Sequence, residues 1–161
     1  MRRKDREVTD IKGIEEILSM CKTCHVAMVD DGKPYIVPLS YGYRIIDGSV
    51  LELFFHSAFE GRKLDILRKD ANVCFEISYE GEPVNSEDPC NAGYYYASLI
   101  GFGTVEFIED SVEQKCEALS IMFKQQTDRD VQFNDAQAGT VCVFKIVSTD
   151  FTGKAKPNGL Q

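Results

Sequence analysis

The sequence predicts a mainly β domain with inserted helices, its antiparallel strands rolled into a small closed or nearly closed barrel. Three observations lead to that class. About six segments carry the alternating or β-branched signal of strands. Asp31-Gly32 and Asp47-Gly48 sit between two pairs of them as tight hairpin turns. Most other connections are too short for the crossovers that parallel neighbours need, which disfavours a doubly wound sheet. Closing the sheet would remove the edges that an open antiparallel sheet exposes.

Asp10 is placed to cap a first helix whose apolar stripe is Ile11, Ile14, Ile17, Leu18 and Cys21. Residues 25–29 (HVAMV) lead through the Asp30–Lys33 turn into a return strand at 34–43 (PYIVPLSYGY). Pro38 inside that strand cannot donate to a ladder, so an edge, a bulge or a break in pairing is expected there, leaving backbone groups free for a ligand. The Asp47-Gly48 turn leads into 50–58 (VLELFFHSA). Ser57 followed by Glu60 has capping-box spacing, which starts a helix at Ala58 and carries it to about residue 70, with Leu64 and Leu67 buried. In 73–79 (VCFEISY), Val73, Phe75, Ile77 and Tyr79 share one face. Residues 80–93 are polar and turn-rich, a long connection or a mobile lid. The longest strand signal is 94–108, where Gly101 and Gly103 mark a bend or a close approach. Asp110 with Glu113 caps a second long helix with Val112, Cys116, Leu119 and Met122 or Phe123 on its apolar face. Residues 126–139 read as turns with a short helical piece, 140–148 as the last strand, and 151–161 as a polar trailing segment.

The length of 161 residues fits one domain spanning 1–161, with residues 1–9 as a flexible arm and 155–161 as a tail. A net charge of −8 argues against nucleic acid as a partner. No stretch approaches the roughly 20 apolar residues of a membrane span, and no apolar run follows the basic start, so a cytoplasmic location with no membrane partner is expected. The six cysteines are then reduced thiols.

The chemistry concentrates where the 50–58 strand hands over to a helix. His56, Ser57, Ala58, Gly61, Arg62 and Lys63 gather at a helix start, where unpaired N–H groups and the positive dipole end favour an anion. Gly61 would let a ligand approach the backbone, and Arg62 and Lys63 would add charge-assisted bonds. A phosphate suits that place; an ordinary capped surface helix with two solvated cations would look the same.

Residues 34–43, 54–67 (FFHSAFEGRKLDIL) and 96–108 (YASLIGFGTVEFI) together resemble the pyridoxamine 5'-phosphate oxidase-like flavoproteins, and within them the nitroimidazole-resistance group. The resemblance runs from about Ile11 to Lys154. It implies a six-stranded antiparallel split β-barrel that binds FMN, forming a homodimer with a flavin at each of two interface sites. By the same resemblance Pro38, Leu39, Ser40 and Tyr41 line the flavin ring, and His56, Ser57, Ala58, Arg62 and Lys63 hold its phosphate. The segment from Ser98 through Gly101 to Gly103 lies close to the ring, and Thr152-Gly153-Lys154 belongs to a C-terminal piece near the site. Relatives of this group often carry a tryptophan near Phe151, whereas this chain has none.

Other constellations are weaker. Cys21-Lys22-Thr23-Cys24-His25 has the spacing of covalent haem attachment, yet it sits where a helix enters a strand, and these cysteines read as packing residues with Cys24 the more reactive. No metal site is expected. His56 is a candidate proton donor beside the ring or a plain structural histidine. Of the tyrosines, Tyr41 is the one expected to line a ligand pocket. The function expected is FMN-dependent reduction of a small aromatic such as a nitroimidazole, with a reduced nicotinamide as donor. FAD in place of FMN, a non-enzymatic flavin-binding redox or carrier module, and a haem-binding split barrel are the alternatives.

Overall fold

The computed structural model describes residues 3–156. Over these residues the chain forms an eight-stranded antiparallel sheet with four α-helices on and beneath it. After a short 3-10 turn at Lys4–Arg6 the elements are β1 (Glu7–Val8), α1 (Ile11–Met20), β2 (Thr23–Asp30), β3 (Lys33–Ser40), β4 (Gly42–Ile46), β5 (Val50–Ser57), α2 (Arg62–Lys69), β6 (Asn72–Val84), β7 (Gly93–Phe107), α3 (Val112–Thr127), α4 (Asp135–Ala138) and β8 (Cys142–Ala155).

The strands run in the order β3-β2-β6-β7-β8-β5-β4, with β1 pairing β8. The two edges of this sheet are consecutive in the chain, separated by Tyr41 alone. A single residue spans at most about 3.6 Å of extended chain, so the sheet must curl until its edges meet. No ladder joins β3 to β4 among the described residues, and the result is a barrel that is split along that seam. Pro38 lies on an edge strand, where its missing donor costs nothing.

Both Asp-Gly hairpins form as expected. Asp31 and Gly32 have φ of 48° and 81°, and Asp47 and Gly48 of 48° and 66°, the positive pair that a two-residue turn of this twist requires. Alternation fills the interior: Cys24, Val26 and Met28, then Leu51, Leu53 and Phe55, then Val73, Phe75 and Ile77, then Phe144 and Ile146 all point inward. The α1 stripe of Ile14, Ile17 and Leu18 joins that core, and Asp10 caps the helix by accepting from Gly13 N–H at 2.9 Å.

A second, smaller core lies outside the barrel. There α3 and α4 bury Ala118, Leu119, Met122 and Ala138 against Phe54 and Val143. This covering explains why β5 is buried on both faces. On the same outer surface the buried Glu52 carboxylate accepts from Arg44 on β4, at 2.7 Å, and from Lys145 on β8, at 2.6 Å. Burial alone would raise its pKa, but the hydrogen bonds and charges of Lys145 and Arg44 outweigh that and lower it. A lowered carboxylate pKa adds stability above the ordinary glutamate range that is lost as pH falls through it. Glu52→Gln should therefore cost about 2 kcal/mol at neutral pH, the worth of a charge-assisted contact, and less at pH 3, as read by denaturant unfolding at both pH values.

Several local expectations are corrected. Six strands become eight among the described residues, because Glu7–Val8 pairs with the distant β8 and the strand expected at 34–43 divides at Tyr41 into β3 and β4. The segment expected as an arm is ordered from Arg3 on, where Glu7 and Val8 pair with Lys154 and Gly153; residues 1–2 lie outside the described residues. Strand β8 runs on through Phe151 to Ala155 instead of trailing off, and of the expected tail residues 157–161 lie outside the described part. The 80–93 connection is shorter than read, since β6 continues to Val84 across a register shift and β7 begins at Gly93. Ser111, not Asp110, caps α3, accepting from Gln114 N–H at 3.2 Å.

Candidate flavin and substrate cleft

The site grows from the end of β5. Strand alternation turns Ser57 into the interior, where its hydroxyl donates to the Ala58 carbonyl at 2.8 Å, and turns His56 outward. No capping box forms at Ser57 and Glu60, and α2 starts at Arg62 rather than at Ala58. Its N-cap is Gly61, held at φ 141°, a backbone conformation that a side chain disfavours. With no side chain capping the helix, the Arg62 and Lys63 N–H groups are left for a ligand or water, while that of Leu64 donates to the Gly61 carbonyl at 2.9 Å. The local reading of the helix start is thus wrong in register, and the start of α2 is more open than a capped helix would be.

The two cations diverge. Arg62 donates to Asp30 from Nε at 2.9 Å and stacks its guanidinium 4.4 Å from the Tyr35 ring, so it fastens α2 to the β2–β3 hairpin. Lys63 pairs with no carboxylate among the described residues. It acts on His56 instead: partial burial first, and the Lys63 charge second, lower the His56 pKa. At neutral pH His56 is therefore uncharged.

Ser40 reaches the same place from the other edge. Ser40 ends β3, and Gly42 after it pairs with Phe54, two residues before His56. Ser40 and His56 border a cleft of about 660 Å³ whose walls come from α3 and the segment after it, notably Leu119, Met122, Phe123, Phe133 and Val141, with Gln126 and Gln137 among its polar groups. Sequence reasoning placed Leu119, Met122 and Phe123 on a helix face but did not connect them with His56, which lies more than sixty positions earlier. No local signal could have done so.

The remaining candidates separate. Pro38 and Leu39 lie on the edge strand β3. Tyr41 is fully buried and donates its hydroxyl to the Leu18 carbonyl at 2.7 Å, so its side chain is a core residue and lines no pocket. Gly101 is buried too. A Cβ there would lie 2.4 Å from the Phe75 ring and 2.9 Å from the Asp150 carbonyl, so this glycine serves packing within the barrel wall. Gly103 accompanies the register shift between Phe102 and Thr104, which bears out the expected bend. Ser98 pairs with Lys154. Lys154 lies eleven residues along β8 from Val143, the partner of His56, roughly 36 Å of extended strand. Within one chain, then, Ser98 and Lys154 do not join the His56 cleft.

Cys21 and Cys24 are both buried, and burial raises their thiol pKa values, that of Cys21 to about 11. This corrects the expectation that Cys24 is reactive. His25 faces outward from β2 and meets Glu76 at 3.0 Å. Among the described residues no cluster of three metal-ligating side chains forms, and no helix is long and apolar enough to cross a membrane.

Comparison with known proteins agrees with this architecture. None of the curated proteins matches the sequence. A protein of Bacteroides thetaiotaomicron named for 5-nitroimidazole antibiotic resistance superposes with a TM-score of 0.78 at 31% identity, covering 92% of this chain and 86% of its own. An FAD and haem binding protein of Mycobacterium smegmatis gives 0.76 at 18% identity, over 97% of this chain and 76% of its own. The flavocytochrome Anf3 of Azotobacter vinelandii gives 0.74 at 18% identity, over 97% and 72%. These last two share the fold. The profile of the pyridoxamine 5'-phosphate oxidase family matches residues 10–155, nearly all of the described structure, and the chain belongs to that family.

Proposed function

We propose that this protein is a flavin-dependent oxidoreductase that works as a homodimer. One juxtaposition carries the reading: an uncapped helix start bearing Lys63, set beside His56 and Ser40 at an apolar cleft. A flavin mononucleotide needs both parts, a cradle for its phosphate and a slot for a flat ring. Lys63 and the free first-turn N–H groups of α2 neutralise the phosphate. The unpaired outer edge of β3, from Pro38 to Ser40, offers backbone groups to the ring edge. The bound flavin supplies the electron transfer, and the chain positions it and excludes water. Uncharged His56 sits where it can hold or pass a proton at the cleft mouth.

The name of the Bacteroides relative supports a small aromatic, such as a nitroimidazole, as the molecule reduced, with a reduced nicotinamide as donor. FMN is the cofactor of this reading, and the FAD-binding relatives keep FAD as the second choice. A second copy of the chain covers the outer sheet face, where pairing aligns exposed Ile36 with Ala27, Cys74 and exposed Phe102 in one row across four strands. Sedimentation should accordingly give twice the 18.1 kDa chain mass.

An absorption spectrum of the purified protein, followed by anaerobic NADH or NADPH, tests the function. Flavin bands that bleach with the donor and return with a nitroaromatic are expected. Flavin bands indifferent to every donor would replace the enzyme with a carrier or redox module, and a Soret band with a haem-binding one.

A further inference from the structure

At the end of the β7–β8 ribbon remote from His56, three cations gather against tyrosine rings. Arg6 donates from Nη1 to the Tyr96 hydroxyl at 3.0 Å. Lys154 Nζ lies 5.3 Å over the same ring, and Lys156 Nζ lies 5.6 Å over that of Tyr95. Strand pairing holds the group together: Lys154 stands opposite Ser98, and the Lys156 N–H donates to the Tyr96 carbonyl at 2.9 Å. Between this group and the chain entering β7 opens a cleft of about 470 Å³, lined by Arg6, Cys90, Tyr94, Tyr96 and Lys156 among others.

Such a concentration is unexpected in a chain of net charge −8. Carboxylates are nearby: Glu7 stands opposite Lys154, Glu80 opposite Tyr96, and Asp5 lies 3.9 Å from Arg6 Nε. Even so, neither lysine forms an ion pair among the described residues: the Lys154 ammonium lies at Tyr96 and that of Lys156 at the Tyr95 ring. No carboxylate neutralises either, and the field they create is felt locally. Burial would raise the Tyr96 pKa, but the Arg6 hydrogen bond and the adjoining Lys154 lower it.

We propose that this cleft binds the phosphorylated nucleoside end of a dinucleotide, the phosphate on Arg6 and Lys156 with the Lys154 charge beside them at Tyr96, and the base against Tyr94. Cationic donors of this kind take phosphate through charge-assisted bonds. The half-exposed Tyr94 ring offers a flat face for stacking. The volume falls within the range of about 300–1,000 Å³ that small-molecule ligands fill, more than a bare phosphate needs. The adenylate half of FAD and that of a nicotinamide donor share this chemistry. Naming a dinucleotide rests on the flavoenzyme reading; the site for a phosphorylated base does not.

Titration of the purified protein with 5′-AMP by calorimetry, with Cys90 alkylation followed by mass spectrometry, tests the site. Cys90 is exposed in the cleft, whereas Cys21, Cys24 and Cys142 are buried, so it reports occupancy. AMP should bind and slow Cys90 alkylation, and Lys154→Gln with Lys156→Gln should weaken AMP by about tenfold or more, the loss of charge-assisted contacts. Lys63→Gln should leave AMP affinity in place. The proposal is overturned if AMP neither binds nor protects Cys90, or binds the double variant equally well. That failure would leave flavin retention, measured on the same samples, untouched. A double variant that loses FAD but keeps FMN assigns the cleft to FAD; one that raises KM for NADPH with FMN bound assigns it to the donor.

Discussion

Lys63→Ala is expected to weaken flavin retention by about tenfold to a hundredfold, the equivalent of the 1.5–3 kcal/mol that a hydrogen bond to a charged group contributes, while the fold stays intact. The argument is one of availability. Arg62 is already held by Asp30 and the Tyr35 ring, whereas Lys63 has no carboxylate partner among the described residues and lies close enough to His56 to lower its pKa. A phosphate at the α2 start would meet Lys63 together with N–H groups that no side chain caps. The measurement is the flavin dissociation constant of the variant, with thermal unfolding as the control for folding. Arg62→Ala should act in the opposite proportion, loosening the contact between α2 and the β2–β3 hairpin more than it loosens flavin. Retention that survives Lys63→Ala unchanged would remove the phosphate from this helix.

Gly42→Val is expected to be the most damaging single change to the architecture of the site. Any Cβ at position 42 would lie 2.6 Å from the Met122 backbone and 2.8 Å from that of Ile121, distances at which something must move. The atoms in the way are helix backbone, which cannot swing aside as a side chain can. Overpacking of this kind costs about 1–3 kcal/mol or more, and here relief requires α3 to lift from β4. Because Met122, Phe123 and Leu119 wall the cleft, lifting α3 opens it. Unfolding should occur at lower denaturant, and ring-dependent flavin affinity should fall even where the variant still folds. A variant with native stability and native flavin affinity would show that α3 does not need this close approach.

How much of this was legible beforehand depends on the distance over which each feature is decided. The α1 stripe with its Asp10 cap, the two Asp-Gly hairpins and the alternation of Val73, Phe75 and Ile77 all formed as read, because each rests on residues within a few positions of one another. The α2 start shows the limit of that reasoning. Ser57 and Glu60 have the right spacing for a capping box, but the inward pleat of β5 had already committed Ser57 to the interior. Tyr41 fails for a related reason: it looked like a pocket residue beside Ser40, and the turn between the two sheet edges buries it under Leu18.

The sequence by itself determined the class of the fold, its hairpins, its core alternation and the cluster around His56 and Lys63, since turn chemistry and periodicity act locally. Only the tertiary structure decided the partners. It tied Arg62 to Asp30, brought Ser40 and His56 to one cleft, set α3 along its wall, and carried Lys154 to Tyr96 and Arg6. Those contacts join residues tens of positions apart, and their geometry follows from sheet order and curvature, which no short window of sequence contains.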